Sequence, residues 1–172
     1  MRQFAWWFRG GADSAIAERF PLLLERATRG ELEHWSHRPA PRLALIIILD
    51  QFSRSLYRGT AQAFAQDQKA LALALEGIEI DHYADLETPW EKTFFFLPLG
   101  HSEELKHLEV AVKLAEELVE QAPAELRRVL GKRLANPICF GDGFVDRLSF
   151  GQLRGGRRCR RITQRIFRTR AA

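Results

Sequence analysis

Seven consecutive apolar residues, Leu43 to Leu49, run straight into Asp50, Gln51, Phe52, Ser53 and Arg54. A run that is apolar on every side has no face to give to water. It belongs at the centre of a helical bundle or, as the rival reading, in a buried strand. The continuing pattern through Phe52 and the step from Asp50 to Arg54, which sets opposite charges one turn apart, favour a helix over about Pro41 to Ser53. A helix buried in this way must be covered all round, and the rest of the chain supplies the covers.

Asp13 is placed to cap a helix whose apolar positions, Ile16, Phe20, Leu23, Leu24 and Ala27, recur at helical spacing. Pro21 kinks or splits it and Gly30 ends it, after which Leu32 and Trp35 pack a short turn against the core. Thr60 opens a further helix with Phe64, Leu71, Leu75 and Ile78 on one face, Asp67 about two turns in, and Gly77 at its end. Thr88, Pro89 and Glu91 form a helix start with a capping box. The short helix they open carries Trp90 and Phe94 to Leu97 and stops at Pro98. Ser102 caps the next, whose stripe is Leu105, Leu108, Val112, Ala115 and Val119 up to about Pro123. No strand-period segment competes, so the expected fold class is all-α, built from antiparallel helix hairpins with short connections.

The domain expected is one helical body over residues 1–134, followed by a basic tail over 135–172 that is irregular or read in a shifted frame. Charge draws the same line. Residues 1–126 hold thirteen Lys and Arg against twenty Asp and Glu, a net of −7; residues 127–172 hold thirteen basic residues against Asp142 and Asp146, a net of +11. The basic pI is therefore a property of the tail. The tail lacks interleaved aromatics beyond Phe150 and Phe167 and shows no recognition-helix pattern, so a solvated tail is favoured over a nucleic-acid partner. The longest apolar run is too short to cross a bilayer, and no signal peptide opens the chain, so no membrane partner is expected. The two cysteines, Cys139 and Cys159, lack metal or redox spacing and fit a reducing cytoplasm.

Two polar stretches at helix junctions, Asp50 to Thr60 and Pro98 to Glu103, carry more chemistry than helices need. Asp50 and Arg54 read either as an ordinary helix salt bridge or as a carboxylate orienting a guanidinium that grips a carboxylate or phosphate. Arg58, Gly59 and Thr60 add charge and free N–H groups beside the latter, though Thr60 also reads as a plain cap. His101 lies next to Ser102, Glu103 and Glu104, where it either bonds a helix end or acts as an acid or base. Asp67, if buried, pairs with Arg54 or Arg58. His34 and His37 have no carboxylate at ligand spacing, so no metal is expected, and no phosphate loop or nucleophile motif calls for a cofactor. The expectation is one cleft in which Gln51, Arg54, Arg58, Thr60, His101 and Ser102 bind a small anionic molecule or a peptide carboxylate. The alternative is an enzyme in which His101 works with Asp50 or Glu103 as an acid–base pair.

The order and spacing of Asp50, Gln51, Phe52, Arg54, Arg58, Gly59, Thr60, Ala63, Phe64 and Asp67 resemble the bacterial domain-of-unknown-function family 924. So do Phe94 to Leu99 with His101, Ser102 and Glu103, and Trp7, Phe8, Phe20, Arg29, Gly30, Glu31, Leu32 and Trp35. The resemblance spans about residues 6–122. It implies a tetratricopeptide-like helical bundle and no established activity. Ser53 stands where the family has proline, Ser55 where it has asparagine, and Leu108 where it has glutamine. Family members also carry an aromatic-rich segment before the position of Trp7 and a Phe-Gly-Arg-Phe-Pro-His-Arg-Asn tail beyond that of Pro123, neither of which is present. A shifted frame after about residue 130 accounts for the arginine-rich tail. Translating the gene in its other frames is expected to recover the family tail; its absence from every frame rejects the shift.

Overall fold

The computed structural model describes residues 11–127 and Leu130, so Trp7, Phe8, both cysteines and the tail from residue 135 lie outside the described residues. The described residues form helices and turns without a strand, and none of their helices is long and apolar enough to cross a membrane. Between Pro98 and Leu99 the chain divides into two compact units.

In the first unit, α1 (Asp13–Arg19) and α2 (Pro21–Thr28) form one run broken at Phe20, with Pro21 at the first position of α2. Proline tolerates that position because its missing N–H has no acceptor there. Gly30 ends α2 with a φ of 84°: its N–H donates to Ala27 and the N–H of Glu31 to Arg26 at 3.1 and 3.0 Å, the paired bonds of a left-handed cap. A 3₁₀ turn over Glu33–His37 then leads into α3 (Pro39–Ile47), which starts two residues earlier than the sequence predicts, with Pro39 at its start. The run continues through a π-helical turn, Ile48–Phe52, into α4 (Ser53–Leu56). A 3₁₀ turn over Ala61–Phe64, α5 (Asp67–Glu79) and the start of α6 (Pro89–His101) complete this unit.

The apolar run is indeed central. Of Leu43 to Leu49 only Ala44 and Ile47 keep partial exposure. Leu45, Ile48, Leu49 and Phe52 join Ile16, Leu24, Ala27, Leu32 and Ala70 in the core, and the Phe20 and Phe52 rings stand 5.1 Å apart. Burying a side chain of this size stabilises by about 1.5–3 kcal/mol.

One buried residue within this helix escapes any hydrophobic pattern. The Arg42 side chain is 2% exposed; its Nε donates to the Ser36 carbonyl at 2.9 Å, and one terminal NH₂ to the Leu73 carbonyl and Glu76 at 2.8 and 2.9 Å. Gly77 lies beside it. A Cβ there would meet Arg42 Cδ at 2.7 Å and Phe95 Cζ at 2.6 Å. Gly77 therefore marks a close approach and not the expected helix end, since α5 runs on to Glu79. The same approach turns the small residues Ala70, Ala74 and Gly77 inward together with Leu71, leaving Leu75 and Ile78 only half-buried.

Further boundaries differ from expectation for local reasons. Ala12, not Asp13, occupies the N-cap position of α1, and Asp13 lies in the first turn with its carboxylate spent on Arg58. Thr60 precedes a 3₁₀ turn and its hydroxyl donates back to the Tyr57 carbonyl at 2.8 Å, so it caps no α-helix. Asp67 thereby becomes the first residue of α5, where the helix dipole favours a carboxylate. The capping box is present: the Thr88 N–H donates to Glu91 at 2.7 Å and the Glu91 N–H to Thr88 at 3.2 Å. Pro98 does not end α6. It forfeits one donor, while buried Phe95, Leu97 and Leu99 on both sides hold the segment helical to His101.

In the second unit, α7 (Leu105–Gln121) buries His107, Ala111, Leu114, Ala115 and Leu118. The expected stripe is rotated, with Leu105 exposed and Leu108, Val112 and Val119 at its edge. A histidine on the buried face hides that face from a hydrophobicity pattern.

Gly77→Ala separates packing from propensity. Alanine in a free helix interior gains about 1 kcal/mol over glycine. Here overpacking against Phe95 and Arg42 is expected to outweigh it and cost about 1–3 kcal/mol net in urea denaturation. A more stable variant contradicts the close approach.

Candidate functional site

The π turn carries one residue more per turn than an α-helix and so shifts the phase of the residues after it. Asp50, Gln51, Phe52 and Ser53 are all buried as a result. Asp50 is 1% exposed and accepts from the side-chain amide of Gln51 through one oxygen and from Arg54 at 3.2 Å through the other. The same terminal NH₂ of Arg54 donates to Asp67 at 3.0 Å, and the guanidinium lies 5.0 Å over the Phe64 ring. Of the two partners expected for Asp67, Arg54 is thus the one it has.

This cluster is built to hold α4 against α5. Arg54 bridges two carboxylates, so its positive charge is already matched. Its Nε is buried with no hydrogen-bond partner. Arg58 turns the other way, to Asp13, with contacts of 3.1 Å from Nε and 2.9 Å from a terminal nitrogen. Thr60 stays exposed in its turn. Gln51 and Arg54 therefore meet at Asp50, and Arg58 and Thr60 do not join them.

His101, Ser102 and Glu103 belong to the second unit. His101 closes α6, half-buried. Glu104 occupies the N-cap position of α7 where Ser102 was expected. Ser102 Oγ still accepts from the Glu104 N–H at 3.2 Å, and it lies 2.8 Å from Nδ1 of the buried His107. A hydrogen bond from Lys106, 2.7 Å away, holds the Glu104 carboxyl below its usual range. His107 is the partner that sequence reasoning missed, five residues after the serine. Among the described residues, no group of three His, Cys, Asp or Glu is placed to hold a metal ion.

A cleft lies within the first unit beside Ser53, the residue that follows the π turn. Leu24, Glu25, Thr28 and Arg29 of α2 and its cap form one wall, Ser53 and Tyr57 a second, and Gln62 and Gln66 a third, around about 210 Å³. Ser53 is 1% exposed, and its Oγ is buried with no hydrogen-bond partner. Leaving a buried hydroxyl unbonded costs about 1–3 kcal/mol, so its position calls for an explanation. At the rim, Arg29 contacts Glu25 at 2.6 Å and Glu31 at 2.8 Å. The bond to Glu31, reinforced by the charge of Glu25, raises the Arg29 guanidinium above its ordinary value. The bond from Arg29, with a second from Arg26, holds Glu31 below its own.

The sequence signal for this cleft was slight. Ser53 drew notice only as a serine where the resembling family has proline, and Gln62 and Gln66 sit in a segment read as helix.

Comparison with known proteins now decides the family. The sequence pattern of the family described as "Bacterial protein of unknown function (DUF924)" matches residues 1–148. The chain belongs to this family. The DUF924 match reaches beyond the 6–122 segment that carries the resemblance and takes in part of the stretch after residue 134. The chain is also similar to a solved structure described as a protein of unknown function, ATU0120 from Agrobacterium tumefaciens, at 29% identity and a TM-score of 0.60, over 72% of this chain and 67% of that one. No curated protein matches.

Removing Arg54 takes the guanidinium away from the buried Asp50 carboxylate. Breaking a buried pair in this way costs about 3–5 kcal/mol, so Arg54→Ala is expected near the lower end, about 3 kcal/mol, because Arg54 keeps some exposure. Asp67→Asn removes only the half-buried partner and is expected to cost less, about 1–2 kcal/mol. Equal small losses for both in chemical denaturation contradict a buried Asp50–Arg54 pair.

Proposed function

We propose that this DUF924 chain is a binding module for a small anionic ligand, held in the cleft beside Ser53. The observation that carries the reading is a cleft large enough for a molecule whose lining includes Ser53, a residue with a buried hydroxyl that has no hydrogen-bond partner. Liquid water takes about 30 Å³ per molecule, so the cleft has room for roughly seven waters, or a ligand of about seven to ten non-hydrogen atoms. That size favours a free metabolite, or at most the carboxylate end of a peptide.

The anion contact in this reading is Arg29, not Arg54 or Arg58. Neither Arg54 nor Arg58 lines the cleft, and Arg54 is partly buried between two carboxylates. Arg29 lines the cleft with about half of its side chain exposed, and its ion pairs lie in water, where such pairs contribute little and exchange partners readily. Its planar fork suits a carboxylate. The amides of Gln62 and Gln66 and the hydroxyls of Ser53 and Tyr57 supply orientation. The same reading takes the fold as tetratricopeptide-like and the protein as cytoplasmic.

A thermal-shift panel of small carboxylic acids on the full chain tests it. A ligand at one hundred times its Kd stabilises by about 2.7 kcal/mol. For a protein of this size that is a rise in Tm of about 5–10 °C. The expected pattern is a shift that Arg29→Ala abolishes and Arg58→Ala leaves in place. A panel without any shift, or a shift lost in Arg58→Ala and kept in Arg29→Ala, contradicts the assignment.

A further inference from the structure

Glu25 and Arg29 both line the cleft, one turn apart along α2 and in contact at 2.6 Å. An anion drawn to Arg29 therefore meets two carboxylates beside its own, Glu25 in the cleft wall and Glu31 at 2.8 Å from Arg29 Nε. Like charges at that range repel, and a simple carboxylate gains from Arg29 only what it does not lose to Glu25. A ligand that carries both signs avoids the loss. Its carboxylate takes the terminal nitrogens of the guanidinium and its ammonium takes Glu25; the Glu25–Arg29 pair it replaces is exposed and weak, and Glu31 keeps its bond to Arg29 Nε.

The interior sets the rest of the ligand. Room for about seven to ten non-hydrogen atoms admits a short backbone with a side chain of a few atoms. Ser53 lines the cleft, and its hydroxyl, covered in the free protein and lacking a partner, is free to donate to or accept from a ligand's polar group once a small shift of the wall uncovers it. Leu24 lines the cleft as an apolar surface for the ligand's carbon atoms.

We propose that the ligand is a small zwitterion of the α-amino-acid class, with its carboxylate on Arg29, its ammonium on Glu25 and a polar group on Ser53. This rests on reading the cleft as the ligand site, and the experiment separates the two claims. Isothermal titration of the full chain compares glycine, L-alanine, L-serine and L-threonine with two matched sets. One set is propionate and lactate, which keep only the carboxylate; the other is alaninamide and serinamide, which keep only the ammonium. The expected result is that at least one amino acid binds at least tenfold more tightly than each of the four single-charge compounds. Glu25→Gln is expected to weaken the amino acid about tenfold and to leave lactate unchanged or improved. Ser53→Ala is expected to weaken it severalfold while the Tm of the free protein stays level or rises, because the hydroxyl removed has no partner to lose. A purely structural serine gives the opposite pattern, a lower Tm with binding intact, and overturns the assignment of Ser53. Lactate binding as tightly as serine overturns the zwitterion and leaves the anion reading standing. Binding by none of the eight compounds overturns both.

Discussion

The buried Arg42 guanidinium is the contact on which the first unit depends. It bonds the Ser36 carbonyl before α3, the Leu73 carbonyl within α5 and the Glu76 carboxylate, and it does so from a position 2% exposed. A buried cation is costly unless its donors are met, so these acceptors fix where α5 runs along α3. Gly77 permits the approach, and Phe95 fills the other side of the space that a larger residue would take. With α5 set, Asp67 at its start falls within reach of Arg54, and the second charged cluster follows from the first.

The π turn converts that frame into a site. By adding a residue to the turn, it sends Asp50 and Gln51 inward, where they meet Arg54, and leaves Ser53 buried at the wall facing α2. The two sides of the turn then have different chemistry. On one, a single guanidinium, Arg54, is shared between the carboxylates of Asp50 and Asp67. On the other, a hydroxyl is left unbonded beside a cleft with an ion pair at its rim. A buried hydroxyl without a partner carries a stability cost that a ligand's polar group can remove.

Much of the fold was legible because its signals are local. The all-apolar run Leu43 to Leu49, the break at Pro21, the glycine that ends α2 at residue 30 and the Thr88–Glu91 box each act within one or two turns. The misreadings came from contacts between elements. Gly77 reads as a helix end until Phe95 and Arg42 are beside it. His107 and Arg42 are polar residues on buried faces, where a pattern of apolar positions has nothing to mark. The Asp50–Arg54 pair and the Arg54–Asp67 pair were legible from spacing and the need to match a buried charge. The cleft was not, because Glu25, Arg29, Ser53 and Gln66 come from three segments and converge only in the folded unit.

Amide chemical-shift mapping of the full chain, titrated separately with L-serine and with lactate, tests the central claim most directly: that the polar side of the π turn holds the fold and the opposite side holds the ligand. The account predicts perturbations gathered at residues 24–29, 53–57 and 62–66, with the amides of Asp50, Gln51 and Asp67 little changed. Shifts centred on Asp50, Gln51 and Asp67, or the absence of a localised response to either compound, contradict it.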